Sequence, residues 1–456
     1  MRMRTQSTST RVQGSKQNQQ KAPGFLAAFD QLIGPSQMDK AVCYDKSPRG
    51  RPPILTVATL IKALVFHMIL GAGSLAEHLG LLSGGKMSGS SISERRQALP
   101  WEVFDRILEW ALKPVAQEDK HPQAFYRGLR LVAIDGSQFS LQNTAQILKQ
   151  CSKAAARRLK AAFAKLNAVV MLEIGLHNPL AAGIDQAKSE WALALELVAK
   201  LPAKSLLLAD RLYGCARFAQ GLLEQCHKVG SYFLVRARQQ LKSTIIKKLS
   251  DGSALVSVPL RAGSGKRKIV GHIILREIWV NIQRPGFRSQ CLRLWTNLLD
   301  EKEYPALELA ALYARRWEQE LYYRQMKLEL RRGELLQSQT VETAAQEVAA
   351  LVLATAVIAT ERAAAANGEC AVDRISFVKV LQLLQPLWLV FSLGEDILSE
   401  GQKQQLIDRF YAQMRAMVSG KRRARSCPRV VRQPVRGWPR KTKNVSHEGE
   451  VTYKIK

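Results

Sequence analysis

Apolar and polar positions along this 456-residue chain change period several times, and the changes divide it into regions. Residues 1–22 have no period; they are polar, rich in Gln, Ser and Thr, and read as a disordered basic N-terminus. After the breaker at 49–53, residues 55–70 form an apolar helix stopped by Gly71 and Gly73. Ser74-Leu75-Ala76-Glu77 reads as a capping box opening a short second helix. Ser91-Ile92-Ser93-Glu94 repeats that signal for a third helix, which carries Arg95, Arg96 and Gln97 and ends at Pro100. Three short helices with a basic third one fit either a helix-turn-helix reader or plain helical packing, and the long loop before the third favours packing.

The middle has a strand-like rhythm. Residues 129–134 are an apolar strand ending in Asp135-Gly136, and 168–176 a second, broken by His177-Asn178-Pro179. Residues 180–184 give a third strand, 189–200 a helix, 205–209 a strand ending in Asp210, then a helix through 225 and a strand at 231–236. That order predicts a mixed α/β domain. Residues 239–300, with β-branched runs such as 269–282 and turns at Asp251-Gly252 and 263–265, read as a β-rich insertion. From Pro305 to Val418 the chain is nearly all helix.

Charge changes the picture. Lys and Arg number 68 against 38 Asp and Glu, a formal net charge of +30. Residues 421–443 carry ten Lys/Arg and no acid, and 1–22 carry five and no acid, so these segments supply half of the excess. Nucleic acid is therefore the leading partner; a membrane surface is the weaker one, because the basic runs lie on no amphipathic helix. The tail is either an extended DNA clamp or a solvated segment. The uncharged helical stretches 63–76 and 348–360 fall short of the roughly 18–20 apolar residues of a membrane span, and the N-terminus lacks the apolar core of a signal peptide. Seven scattered cysteines without a C-x-x-C pair exclude a disulfide framework and a cysteine zinc site, and fit a reducing cytoplasm.

Asp135 and Asp210 each follow an apolar strand, where a carboxylate can either hold a hard cation such as Mg²⁺ or merely cap a turn. The helix opened by Pro305 offers a third acid. Tyr313, Arg316, Glu320 and Lys327 lie at offsets of 0, 3, 7 and 14, which at about 100° per residue confines them to an arc of about 60°. The stripe is either a solvated, salt-bridged face or a functional one. Gly263-Ser264-Gly265-Lys266 lacks the residues a Walker A loop needs and reads as a turn; Asp185 is a spare carboxylate suited to capping.

Tyr313-x-x-Arg316-x-x-x-Glu320-x-x-x-x-x-x-Lys327 resembles the Y-R-E-K signature of bacterial insertion-sequence transposases, in the family conventionally numbered four. Asp135-Gly136-Ser137 resembles that family's first acidic motif, Leu208-Ala209-Asp210-Arg211-Leu212-Tyr213 its second, and Trp295-Thr296-Asn297 its approach to the signature helix. The resemblance covers roughly residues 45–440. It implies a mixed α/β, RNase H-like core in which Asp135, Asp210 and Glu320 hold two divalent ions, Mg²⁺ with Mn²⁺ able to substitute. It also implies that Arg211, Tyr313, Arg316 and Lys327 contact the DNA end. The expected regions are a disordered N-terminus (1–22), a helical DNA-end-binding domain (23–125), a catalytic core (126–340) with its insertion at 239–300, C-terminal helices (341–418) and a basic tail (419–456). The partners implied are double-stranded DNA, as inverted-repeat ends and target, and a second copy in a synaptic dimer, in a bacterial cytoplasm beside the nucleoid with no membrane. Relatives that cut through a DNA hairpin carry a base-stacking Trp where Leu292 stands, which counts against a hairpin route; Trp279 and Trp295 read as packing residues. A hydrolysis-only nuclease and a catalytically silent DNA-end-binding regulator are the other readings.

Overall fold

The computed structural model describes residues 25–42, 55–84, 87–153, 161–262, 268–283, 290–333, 335–394, 397–418 and 452–455. The expectations for the N-terminus 1–22, the breaker at 49–53, the 263–265 turn and the basic run 421–443 lie outside these residues. Among the described residues eleven strands form one sheet: β1 (Phe125–Tyr126), β2 (Leu129–Ser140), β3 (Lys165–Glu173), β4 (Asn178–Asp185), β5 (Ser205–Ala209), β6 (Tyr232–Arg236), β7 (Thr244–Lys248), β8 (Ala254–Arg261), β9 (Ile269–Gln283), β10 (Gln290–Thr296) and β11 (Thr452–Ile455). The order is β4-β3-β2-β5-β6-β10-β9-β8-β7, with β1 beside β2 and β11 beside β9. β2, β5 and β6 are parallel, while β3 and β4 fold back antiparallel. The insertion continues the same sheet, because β10 pairs antiparallel with β6.

The central strands are apolar on both faces because both are covered, as parallel strands require. Val132 and Ile134 point to one side, against the helices Glu190–Val198 and Ala216–Val229. Leu131 and Ala133 point to the other, in a core shared with Leu309, Ala310 and Tyr313. By the period of two, Asp135 belongs to the second face and Gly136 to the first. The pattern fixes which neighbours each can meet.

The helix Val341–Ala366 is buried nearly all round and packs against β4 and the N-terminal helices. It is longer than the apolar stretch at 348–360 suggests, since Gln346, Glu347, Thr343 and Arg362 are polar yet buried. Length and composition alone would let it cross a membrane, but 83% of its most apolar window is buried inside the protein. It is the core helix. The N-terminal helices follow the sequence closely: Val57–Leu70 ends at Gly71, and Ser74 and Glu77 form the capping box of Leu75–Ser83. The third helix, Gly89–Ala98, is capped by Ser88 rather than Ser91, three residues earlier than expected. Its Arg95 donates to the Leu55 carbonyl at 2.6 Å, and Arg96 to Ser338 at 3.2 Å and the Thr343 carbonyl at 3.0 Å. Both are engaged in packing.

Candidate active site at the ends of β2 and β5

β2 does not end at Asp135, as the sequence led one to expect; residues 136–140 continue it, paired with β3. What ends is its other neighbour. The last β2–β5 pair is Ile134 with Ala209, so one edge of β2 opens beside Asp135, and Asp210 follows β5 into the gap. Asp210 does cap its turn, accepting the Leu212 N–H at 2.5 Å, which is compatible with a further role for its second oxygen. The two acids are 75 residues apart in sequence, and the parallel pairing joins them.

The signature segment is not a uniform α-helix. Ala306–Tyr313 is α-helical, Ala314–Trp317 a 3₁₀ turn, Glu318–Arg324 α-helical again, and Gln325–Leu330 a π-helix. Over-winding and then under-winding redistribute the side chains that a constant 100° step puts on one stripe. Tyr313 is a correction to that stripe: it is buried, and its hydroxyl donates to the Ala209 carbonyl at 3.2 Å. Arg316 bridges two of the acids, Nη1 reaching Asp135 Oδ2 at 3.4 Å and Nη2 reaching Glu320 Oε1 at 2.8 Å. Lys327 donates to the Gln138 carbonyl at 2.7 Å and lies over the Phe139 ring. Arg211 is exposed. The segment therefore lies along β2, and Asp135, Arg316 and Glu320 meet there.

Residues that sequence reasoning missed hold this register. Tyr323 donates its hydroxyl to the Asp135 carbonyl at 2.7 Å and accepts the Val170 N–H at 3.1 Å, while Gln319 donates to the Val170 carbonyl at 3.1 Å. Asp135 and Val170 are register partners, so two side chains of the signature helix enter the β2–β3 ladder at the proposed acid. A little further back, Glu318 takes the Gly175 N–H at 2.7 Å and both Nε and Nη2 of Arg315, at 3.0 and 2.9 Å. Burial works against its charge, but His177, Arg315 and Gly175 outweigh it and pull the carboxyl down to about 2. Gly175 sits at φ +90°, and a Cβ there would press on Arg315 Nη2 at 3.3 Å. The turn between β3 and β4 thus docks the helix.

A fourth acid was also missed. Glu190, first residue of its helix, approaches from the opposite face of the sheet. A Cβ on Gly136 would lie 2.3 Å from Glu190 Cγ and Cδ, so the missing Cβ is what lets this side chain lie where it does. The Tyr213 hydroxyl donates to Glu190 Oε1 at 2.9 Å. Nothing in the sequence separated Glu190 from an ordinary first-turn acid. Burial, then Asp210, raise the Asp135 carboxyl to about 7, against the pull of Arg316; Glu190 adds to the rise. Burial likewise raises Glu190, with Asp210 contributing.

The resemblance implies divalent metal ions, and the donors here suit a hard cation: all are carboxylate oxygens, and Asp135 and Asp210 repel one another at a half-buried point. Among the described residues no three His, Cys, Asp or Glu side chains close around one point, and Arg316 lies between Asp135 and Glu320. Trp279 and Trp295 behave as expected of packing residues, each donating its indole N–H to Glu277, and Leu292 is buried.

Over 249 residues the chain is 25% identical to the transposase InsG of insertion sequence element IS4 from Escherichia coli (strain K12), a match spanning 54% of this chain and 54% of that protein. The chain thus aligns with about half the length of that relative. The solved synaptic complex of the piggyBac transposase with hairpin DNA is similar over 87% of this chain and 86% of its own, at 10% identity and a TM-score of 0.42. Residues 126–357, which contain Asp135, Asp210, Arg316 and Glu320, match the transposase DDE domain, and the chain belongs to that family.

Proposed function

We propose that this protein is a DNA transposase that binds the inverted-repeat ends of its insertion sequence, hydrolyses a phosphodiester at each end and joins the freed 3′-OH to target DNA. The observation that carries this reading is the meeting of Asp135, Arg316 and Glu320, drawn from distant parts of a transposase-family domain, at the open edge where β5 ends. Three parallel strands flanked by an antiparallel hairpin support an RNase H-like core.

Asp135, Asp210 and Glu320 are assigned as the metal-holding acids. Two divalent ions, Mg²⁺ or Mn²⁺ in its place, would supply neutralisation of the attacking and leaving oxygens. The chain's own part is to hold these acids in register, through Tyr323 and Gln319, and to grip the DNA. Arg316 can grasp a phosphate bidentately, Lys327 supplies a point charge and Arg211 stands exposed on the rim. Tyr313, with its hydroxyl on the Ala209 carbonyl, is reassigned to supporting the end of β5 beneath Asp210. The helical region 23–125 is left to read the element's ends, and a second copy to bring the paired ends together, beside the bacterial nucleoid.

The test is strand joining on the bench. Full-length protein, a duplex carrying the element's end and a target plasmid should give joined product in Mg²⁺, and Asp135→Ala or Asp210→Ala should give none while still shifting the duplex in a gel. Cutting without joining would reduce the protein to a nuclease. Binding without cutting in Mg²⁺ or Mn²⁺ would make it a silent end-binder.

A further inference from the structure

Glu190 is the strongest group that the reading above leaves without a task. Its helix does not need it as a cap, because the Ser189 hydroxyl already accepts the Ala192 N–H at 3.3 Å. Yet its side chain is folded back over β2, into space that exists only because residue 136 lacks a Cβ. Geometry explains the approach. Asp135 and Gly136 face opposite sides of the sheet, so an acid from the signature-helix side and one from the Glu190–Val198 side can converge on neighbouring β2 residues. The Gly136 N–H donates to Asp135 Oδ1 at 2.9 Å, on the same residue over which Glu190 is folded. Tyr213, two residues after the Arg that follows Asp210, fixes Glu190 Oε1 from below and is itself fully buried.

We infer that Glu190 is a fourth carboxylate of the metal site, reaching Asp135 and Asp210 from the far face of the sheet through the gap that Gly136 leaves, and that it takes part in binding a divalent cation there. The inference rests on the transposase reading, in which Asp135 and Asp210 hold that cation. A purely structural Glu190 would need only its hydrogen bond to Tyr213, and an amide oxygen can still accept that bond. Glu190→Gln therefore removes the charge and keeps the contact.

The experiment measures Mn²⁺ binding to the full-length protein by titration calorimetry and by the loss of free-ion paramagnetic resonance signal, with no DNA present. Wild type, Glu190→Gln, Tyr213→Phe and Asp210→Asn are compared, and the Mg²⁺ concentration giving half-maximal cutting of an end duplex is read separately. Glu190→Gln is expected to bind Mn²⁺ about 10–100-fold more weakly, the range seen when a group supporting a metal is removed, and to need correspondingly more Mg²⁺. Tyr213→Phe should lose less than Glu190→Gln. Wild-type Mn²⁺ affinity in Glu190→Gln, with binding lost in Asp210→Asn, overturns the role of Glu190 and leaves the transposase reading intact. Equal Mn²⁺ binding by wild type and Asp210→Asn, or binding by neither, overturns both. Because the substitution is isosteric, melting temperature without metal is expected to stay unchanged or rise, and a fall of more than a few degrees with unaltered Mn²⁺ affinity also assigns Glu190 to structure alone.

Discussion

Two buried groups of charge sit on the same sheet and behave in opposite ways. In the insertion, Glu277 accepts from Trp279 at 2.7 Å, Trp295 at 2.8 Å, Ser243 at 3.1 Å and Arg293 at 2.6 and 2.9 Å. Burial raises its carboxyl, but the bonds from Arg293, Trp295 and Trp279 win and leave it below its ordinary value. At the edge of β2 and β5, burial is joined by repulsion from Asp210, and Asp135 rises to about 7 although Arg316 touches it. One network is closed, with its acid saturated by donors. The other keeps Asp135 beside Asp210 with one guanidinium, that of Arg316, reaching Asp135 and Glu320. Residue type does not distinguish a structural cluster from a reactive one; the balance of donors against charges does.

Breaking each cluster should therefore produce a different loss. Asp135→Asn removes the charge that a cation needs, and cutting of an end duplex is expected to fall by at least about a hundred- to a thousandfold, as when one electrostatic stabiliser of a transition state is lost. Its stability at pH 8 should hold or increase, because the charged form is the one the fold resists. Glu277→Ala strands the Arg293 guanidinium and two indole N–H groups, so unfolding free energy should drop by about 3–5 kcal/mol, measured by denaturant titration, with the remaining folded protein still cutting. Reversal of these two outcomes would mean that the labels on the clusters are exchanged.

A third acid sharpens the contrast through pH. Glu361 is raised to about 7 by burial, despite a hydrogen bond from Tyr411 at 3.0 Å. Its folded value lies above its ordinary 4.5, so the folded state resists the charged form. The resulting penalty is absent below about 4.5, grows as pH rises and is complete above about 7. Glu361→Gln should then stabilise by about 1–3 kcal/mol at pH 8, with most of that gain lost by pH 5. A pH-independent difference would contradict the assignment. The last prediction concerns the basic run 421–443, outside the described residues. Deleting residues 421–443, with ten Lys/Arg, should lower the slope of log affinity for duplex against log salt by roughly 4–5 if about five phosphates are neutralised. An unchanged slope assigns that run to solution.

The core strands were legible because apolar runs bounded by turn residues need no partner to be recognised. The 205–209 strand coincides with β5, and the helix-rich stretch from Pro305 to Val418 is as expected. Asp135 was misread as a strand end since sequence cannot show that β5, not β2, stops there. The four-residue stripe relied on one helical period, and the 3₁₀ and π turns that interrupt it have no period of their own to read. Arg96 carries a positive charge in sequence; only tertiary packing against Ser338 and Thr343 engages it indoors. Glu190 was invisible for a related reason. Its meaning depends on Gly136, 54 residues earlier, and on Tyr213 across the sheet.

The most direct measurement compares Glu320→Gln and Arg316→Ala on one end duplex, scoring gel shift and metal-dependent cleavage side by side. Glu320 and Arg316 touch each other at 2.8 Å, so the pair separates metal holding from DNA grip at a single contact. Glu320→Gln is expected to abolish cutting with end binding preserved or slightly raised. Arg316→Ala is expected to weaken the end complex by about 1–3 kcal/mol and to leave residual cutting that still requires Mg²⁺. Normal cutting by Glu320→Gln together with normal binding by Arg316→Ala would contradict the account, leaving the cluster at β2 as structural as the one around Glu277.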